Sequence, residues 1–203
     1  MKPTILLLFL PCAVSLFAQC PGSPIIIDLT GQGFPLTDVA EGVEFNITGT
    51  AMEQIAWTAP GSRLAFLALD RNGNGVIDSG LELFGNYTDQ DSPFVTANGF
   101  SALEVFDRPE NGGNGDGVID SRDAVFSHLL LWIDENHDGK SQPQELHSLP
   151  SLGVYSISLK YKWTPKKDQY GNQFRYKAEV NPGTEPHTDT VGRYAYDVFF
   201  LRK

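Results

Sequence analysis

The chain has 203 residues, 41% of them apolar and 20% charged, with 13 Phe, 7 Tyr and 3 Trp. That composition supplies a packed core and excludes an intrinsically disordered chain. The 15 Lys and Arg against 25 Asp and Glu give a net charge of −10, which excludes a phosphate-binding surface and with it nucleic acid as the main partner.

Residues 1–18 read as a secretory signal peptide, with Lys2 as the positive start, an apolar stretch over 5–17 and Ala18 as the small residue before the cut. The stretch is too short for an ordinary membrane span, and no later segment of the mature chain offers one. Loss of Cys12 with the peptide leaves Cys20 without an internal disulfide partner. A lipid anchor on Cys20 is the alternative, opposed by Gln19, which stands where a small residue is expected. The expected location is extracellular or periplasmic.

The 19–63 part is strand-rich, with β-type runs at 25–29, 42–47 and 55–58. The 64–150 part is acidic and rich in glycine. In it, 98–106 reads as a short helix with Phe100, Leu103 and Phe106 on one face. Ser121 is placed to cap a second helix reaching Phe126, and 144–149 reads as a third, stopped by Pro150. The 129–133 run stays open between helix and strand. In the 151–203 part, 154–161 alternates like a two-faced strand, 174–180 and 194–201 are β-like, and 165–172 and 181–192 read as loops. The predicted fold class is α+β, with short strands and helices in front of a C-terminal antiparallel β-rich segment, and 19–203 forming one compact domain.

The acidity is concentrated. Residues 70–145 hold fifteen acids and four bases, whereas 146–203 hold five acids and nine bases. Within the middle part the acids recur at fixed offsets around glycines. Counting Asp134 as position 1, the third such loop has oxygen side chains at positions 1, 3, 5, 9 and 12, namely Asp134, Asn136, Asp138, Gln142 and Glu145, with Gly139 at position 6. Calcium takes six to eight oxygens at roughly 2.3–2.6 Å, so alternate residues of a tight loop must point inward. Here the carbonyl of Lys140 would join the side chains, and the spacing is that of an EF-hand-type calcium loop.

The first loop repeats it with Asp70, Asn72, Asn74 and Asp78, Gly75 at position 6 and the carbonyl of Val76. Leu81 stands at position 12, so Glu82 is the expected closing acid, with Gly80 giving slack. Its two neutral Asn predict weaker binding than at the third loop. The second loop runs from Asn114 through Asp116, the carbonyl of Val118 and Asp120 to Asp123, which fits positions 3 to 12. Position 1 falls on Gly112, so either Asp107 returns to the site across a 108–113 insertion or water or a carbonyl closes it. Two stretches, 28–33 and 46–50, look like worn versions that do not hold calcium tightly.

Taken together, the strings SPIIIDLTGQGF, AFLALDRNGNGVIDSGLELFGN, NGFSALEVFDRPENGGNGDGVIDSRDAVF, LLLWIDENHDGKSQPQELHSLPSLGV and GRYAYDVF resemble a calcium-binding module of large secreted bacterial proteins. That module occurs near hemolysin-type nonapeptide repeats and in the iron-regulated, FrpC-like repeats-in-toxin group, and also in a short stand-alone secreted form. The resemblance covers 24–201 and is most specific over 64–159. It implies two or three bound calcium ions, assigns Asp107 to the second loop and supports loss of calcium where Thr30, Gln32, Asn46 and Thr48 replace Asp. FrpC-like relatives include a calcium-dependent module that cuts itself at an Asp-Pro bond, but this chain contains no Asp-Pro pair.

The expected function is calcium binding in a secreted, non-catalytic module whose folding the ions complete. No His-Glu-x-x-His helix, Gly-x-Ser-x-Gly elbow or phosphate loop is present. The alternative is a calcium-dependent docking module for a cell-surface protein or glycan. Its contact residues would be Tyr161, Trp163, Tyr170, Phe174 and Tyr176, beside Lys160, Lys162, Lys166 and Lys167.

Overall fold

The computed structural model describes residues 21–94, 96–183 and 191–203; the signal-peptide segment, Cys20 and His187 lie outside them. Three parts of the chain contribute to one antiparallel sheet. The first gives β1 (Ile25–Asp28); the middle gives β4 (Leu64–Ala68), β6 (Leu130–Trp132) and β7 (Leu146–Ser148). The last gives β9 (Lys162–Lys167), β10 (Gln173–Glu179) and β11 (Tyr194–Phe199). Among the described residues this sheet has seven strands in the order β7-β6-β4-β1-β11-β10-β9. Two small ribbons flank it, one pairing β2 (Val43–Phe45) with β3 (Glu53–Ile55), the other β5 (Val118–Asp120) with β8 (Ser156–Ser158).

The α+β expectation is overturned. Among the described residues the one α-helix is α1 (Gly99–Glu104), capped by the Asn98 side chain, which accepts from the amides of Phe100 and Ser101. The helix expected after Ser121 is a 3-10 turn, Ala124–His128, preceded by Asp123 rather than capped by Ser121. The helix expected over 144–149 is a 3-10 turn, Pro143–Glu145, that passes directly into β7. The open 129–133 run is strand β6. The physical reason lies in β4 and β6: their backbones pair with each other through Phe66 opposite Trp132 and Leu67 opposite Leu131, so both faces are sheet faces and no helix stripe is available. The loops therefore sit between strands and turns, not between helices.

Both faces of the sheet are buried. Ile25 and Ile27 of β1 point to one side, where they meet Ala65 and Leu67 of β4, Leu131 of β6, Phe100 and Leu103 of α1, and Ile119 and Ile157 of the β5–β8 ribbon. Ile26 points to the other side, among Phe66, Trp132, Val198 and Phe200, under Phe45 and Ile55 of the β2–β3 ribbon. The alternation follows from the period of two along a strand. On this second side Trp57 packs on Phe66 at 4.4 Å, on Phe45 at 5.1 Å and on Trp132 at 5.6 Å between ring centroids. Each such large side chain removed from water is worth roughly 1.5–3 kcal/mol.

Candidate metal centres

The three loops adopt the same local structure, written in hydrogen bonds. The amide of the position-6 glycine donates to a carboxylate in each: Gly75 to Asp70 Oδ2, Gly117 to Asp107 Oδ2 and Gly139 to Asp134 Oδ2, all at 2.9 Å. The position-3 Asn accepts from the amide two residues on, at 2.9 Å for Asn72, 3.0 Å for Asn114 and 3.2 Å for Asn136. The position-5 side chain does likewise, Asn74 from Val76 at 2.9 Å, Asp116 from Val118 at 3.0 Å and Asp138 from Lys140 at 2.8 Å. Last, a closing acid accepts from the position-9 amide: Glu82 from Asp78 at 3.0 Å, Asp123 from Asp120 at 2.8 Å and Glu145 from Gln142 at 3.1 Å.

This pattern gives two irregular residues their places. In the first loop Glu82, not Leu81, closes the ring; Leu81 is 43% exposed and Glu82 is 3% exposed. Gly80 is less a source of slack than a point of contact, because a Cβ there would lie 1.9 Å from the carbonyl oxygen of Ile47. In the second loop Asp107 stands in for position 1. Residues 108–113 bulge out through the 3-10 turn Pro109–Asn111 and the left-handed Gly112 (φ 85°). The Gly115 amide then reaches the Asp107 carbonyl at 2.7 Å.

The worn stretches keep part of the frame. Asp28 Oδ2 accepts from the Gly33 amide at 2.6 Å, the same one-to-six bond, but its Oδ1 accepts from the Thr30 hydroxyl at 2.8 Å. In the other, the hydroxyls of Thr48 and Thr50 pair with each other at 2.7 Å.

Burial grades the ligand candidates. Asp107, Asp123, Asp134, Glu82 and Glu145 are all buried, while Asn72, Asn74, Asp78, Asn136 and Asp138 are exposed and Gln142 is half-buried. Two indoles reach the third loop from the core: Trp57 Nε1 donates to Asp134 Oδ2 at 2.7 Å and Trp132 Nε1 to Glu145 Oε2 at 3.3 Å. Sequence reasoning missed both: Trp57 is remote in the chain from Asp134, and Trp132, two residues before Asp134, carries no local signal that points to Glu145. Burial pushes the Glu82 carboxyl up, and the charge of Asp78 adds to that. At the second loop the hydrogen bond from Arg122 lowers Asp120. Arg122 also pairs with Asp116, both contacts at 2.6 Å.

Among the described residues no three His, Cys, Asp or Glu side chains gather closely enough to hold a metal by themselves. An oxygen-seeking cation would have to draw on Asn, Gln and main-chain carbonyls as well, which is the donor set these loops offer. Within the three loops two buried side-chain oxygens lack a partner, Glu82 Oε1 in the first and Gln142 Oε1 in the third; Asn46 Oδ1 in the worn 46–50 stretch and both oxygens of Asp197 in β11 are likewise unpaired. Unpaired buried acceptors of this kind are costly unless something supplies a charge or a donor, so the residues present fit calcium. Among the described residues the histidines join no metal-holding cluster: His137 Nε2 lies 2.7 Å from the Glu41 carbonyl and His128 Nδ1 3.1 Å from the Ala124 carbonyl.

Of the docking residues expected on the C-terminal strands, Phe174 is fully buried, and Tyr161 and Tyr176 pack against the core. Trp163 and Tyr170 are exposed, at 66% and 38%.

The SPM domain family model matches residues 25–200. The chain is 37% identical over 153 residues to the iron-regulated protein FrpA of Neisseria meningitidis serogroup C, a match that covers 73% of this chain and 13% of that protein. The chain therefore corresponds to a small part of that relative. No helix among the described residues is long and apolar enough to cross a membrane.

Proposed function

The chain belongs to the SPM domain family, and from that premise we propose that it is an exported, non-catalytic module that binds two or three calcium ions in the loops headed by Asp70, Asp107 and Asp134. The observation that carries this reading is the set of four hydrogen bonds repeated in three loops, with Glu82 Oε1 and Gln142 Oε1 buried and unpaired. Each amide engages one lone pair of a carboxylate or amide oxygen and fixes its direction, leaving another lone pair for a hard cation. Bound calcium would offset the negative charge that the carboxylates of each loop carry.

The chain's own residues do the remaining work. Gly75, Gly117 and Gly139 orient the first ligand, while Asp123, Glu145 and Glu82 close each loop over the position-9 amide. The indoles of Trp57 and Trp132 anchor the third loop to the core. Sites of roughly 10⁻⁴–10⁻³ M affinity would fill outside the cell and stay empty in a low-calcium interior, so folding would be completed after export. Export itself rests on the 1–18 segment, and the non-catalytic part on the lack of an Asp-Pro pair within the 203 residues.

The test is thermal unfolding with calcium and with excess chelator. At tenfold saturation each site adds about 1.4 kcal/mol, so chelation is expected to lower the Tm by roughly 10 °C for a chain of this size. An unchanged Tm together with no heat on calcium titration overturns the proposal.

A second reading, a calcium-dependent docking module for a cell-surface protein or glycan, draws on the 66% exposure of Trp163 beside Lys162 and Lys167 on edge strand β9. Retention of a surface partner that is lost in Trp163→Ala, at unchanged Tm, is the outcome it requires.

A further inference from the structure

Loops one and three touch at equivalent points. The amide of Ile77, position 8 of the first loop, donates to Ser141 Oγ, position 8 of the third, at 2.6 Å, and both residues are buried. Each is flanked by its loop's ligand candidates: Val76 and Asp78 on one side of the bond, Lys140 and Gln142 on the other. Ile77 also lies in the same core cluster as Trp132 and Trp57, whose indoles hold Glu145 and Asp134. Movement of Ile77 is therefore felt by the ligands of both loops, through one hydrogen bond and one packed cluster.

The second loop is differently placed. Its position-8 residue, Ile119, pairs with Ile157 in the β5–β8 ribbon and packs on the opposite face of the main sheet. Among the described residues it shares no hydrogen bond with the other two. A link to the first loop runs through Arg71, whose guanidinium lies 5.4 Å from the ring of Phe106, next to Asp107. That contact runs through a ring face and not through a ligand.

We infer that loops one and three form a coupled two-ion unit, with Ser141 as the positioning residue that joins them, and that loop two binds on its own. The inference rests on the calcium reading above. Its energetic content is reciprocal: an ion at the third loop fixes Ser141 and raises affinity at the first, and the reverse holds by the same factor.

The amides of Gly75, Gly117 and Gly139 each donate to their own loop's first carboxylate, so their NMR resonances report the three loops separately during calcium titration of the chelator-stripped protein. Glu145→Gln, which weakens the third loop while keeping an acceptor for its amides, is expected to weaken calcium binding at Gly75 by about fivefold or more and leave Gly117 within twofold. Asp70→Asn is expected to weaken calcium binding at Gly139 in turn. Ser141→Ala, with all ligands intact, is expected to abolish this mutual effect in the double variants. Independent titration of Gly75 in Glu145→Gln, with calcium still bound, overturns the coupling and leaves the calcium reading standing. Absence of any calcium response at all three glycines in the unaltered protein overturns the calcium reading itself.

Discussion

Asp197 is fully buried in β11, opposite Ile25 and Tyr176, and neither of its oxygens has a hydrogen bond of good geometry. Desolvation pushes its carboxyl up to about 7, against the smaller opposing influence of the Ser23 side chain, the Gly99 amide and Arg175. A folded-state value above the unfolded one means that the native protein binds the proton more tightly. The stabilisation is present in full below about pH 4 and is lost as the pH rises through 7. Asp197→Asn is expected to raise the Tm by several degrees at pH 8, to change it little at about pH 4 and below, and to flatten the slope between, as read by thermal melts in chelator. At the second loop the guanidinium of Arg122 already occupies Asp116 and Asp120 and competes with any cation. Arg122→Ala is expected to tighten calcium binding there by about two- to fivefold, measured at the Gly117 amide, with the other loops unaffected. The loop residues themselves were legible in the sequence because ligand spacing is local: oxygen at every second position and glycine where φ must be positive. The role of Trp57 was not, because nothing near it in the chain points to Asp134.

Elements show the opposite balance. Strands β10 and β11 were visible as aromatic, β-branched runs, but β4 was not, since Leu64–Ala68 is buried at every position and carries no alternation. A continuous short apolar run of that kind does not declare its period. The turn after the third loop misled in the other direction, because Pro143 and Glu145 make a good helix start that stops after three residues. Strand β9 fell partly in an expected loop, since Pro165 removes a ladder donor; edge position makes this tolerable. What holds that edge is a cluster of rings around one ammonium: Lys166 Nζ lies 4.3 Å from the centroid of Phe174, 4.8 Å from Tyr196 and 5.2 Å from Phe34. The rings meet edge to face, with centroids 5.0–5.6 Å apart. Burial lowers the Lys166 pKa, and the nearby charge of Lys177 adds to it. Lys166→Gln is expected to cost about 1 kcal/mol, seen as a lower denaturant midpoint, with increased amide exchange confined to β9 and the adjoining edge of β10.

For the whole molecule, the sheet divides the candidate metal sites between two cores. The first and third loops approach the core that contains Trp57 and Trp132, and the second approaches the one that contains Phe100 and Ile119. On the calcium reading proposed above, removal of the ions is expected to loosen both faces. Tryptophan emission reports the side with the indoles, whereas exchange at the Ile119 amide reports the other.

Strand β1 lies between β4 and β11, so residues near one end of the described chain complete the sheet with residues near the other. Local pairing cannot substitute for this contact. A polypeptide ending before Tyr194 is expected to leave β1 with one open edge and to show no cooperative unfolding transition, with or without calcium. Growth from the ribosome proceeds in the same direction as that truncation series. Until Tyr194–Phe199 is made, β1 keeps one open edge, so synthesis of most of the described chain precedes closure of the sheet.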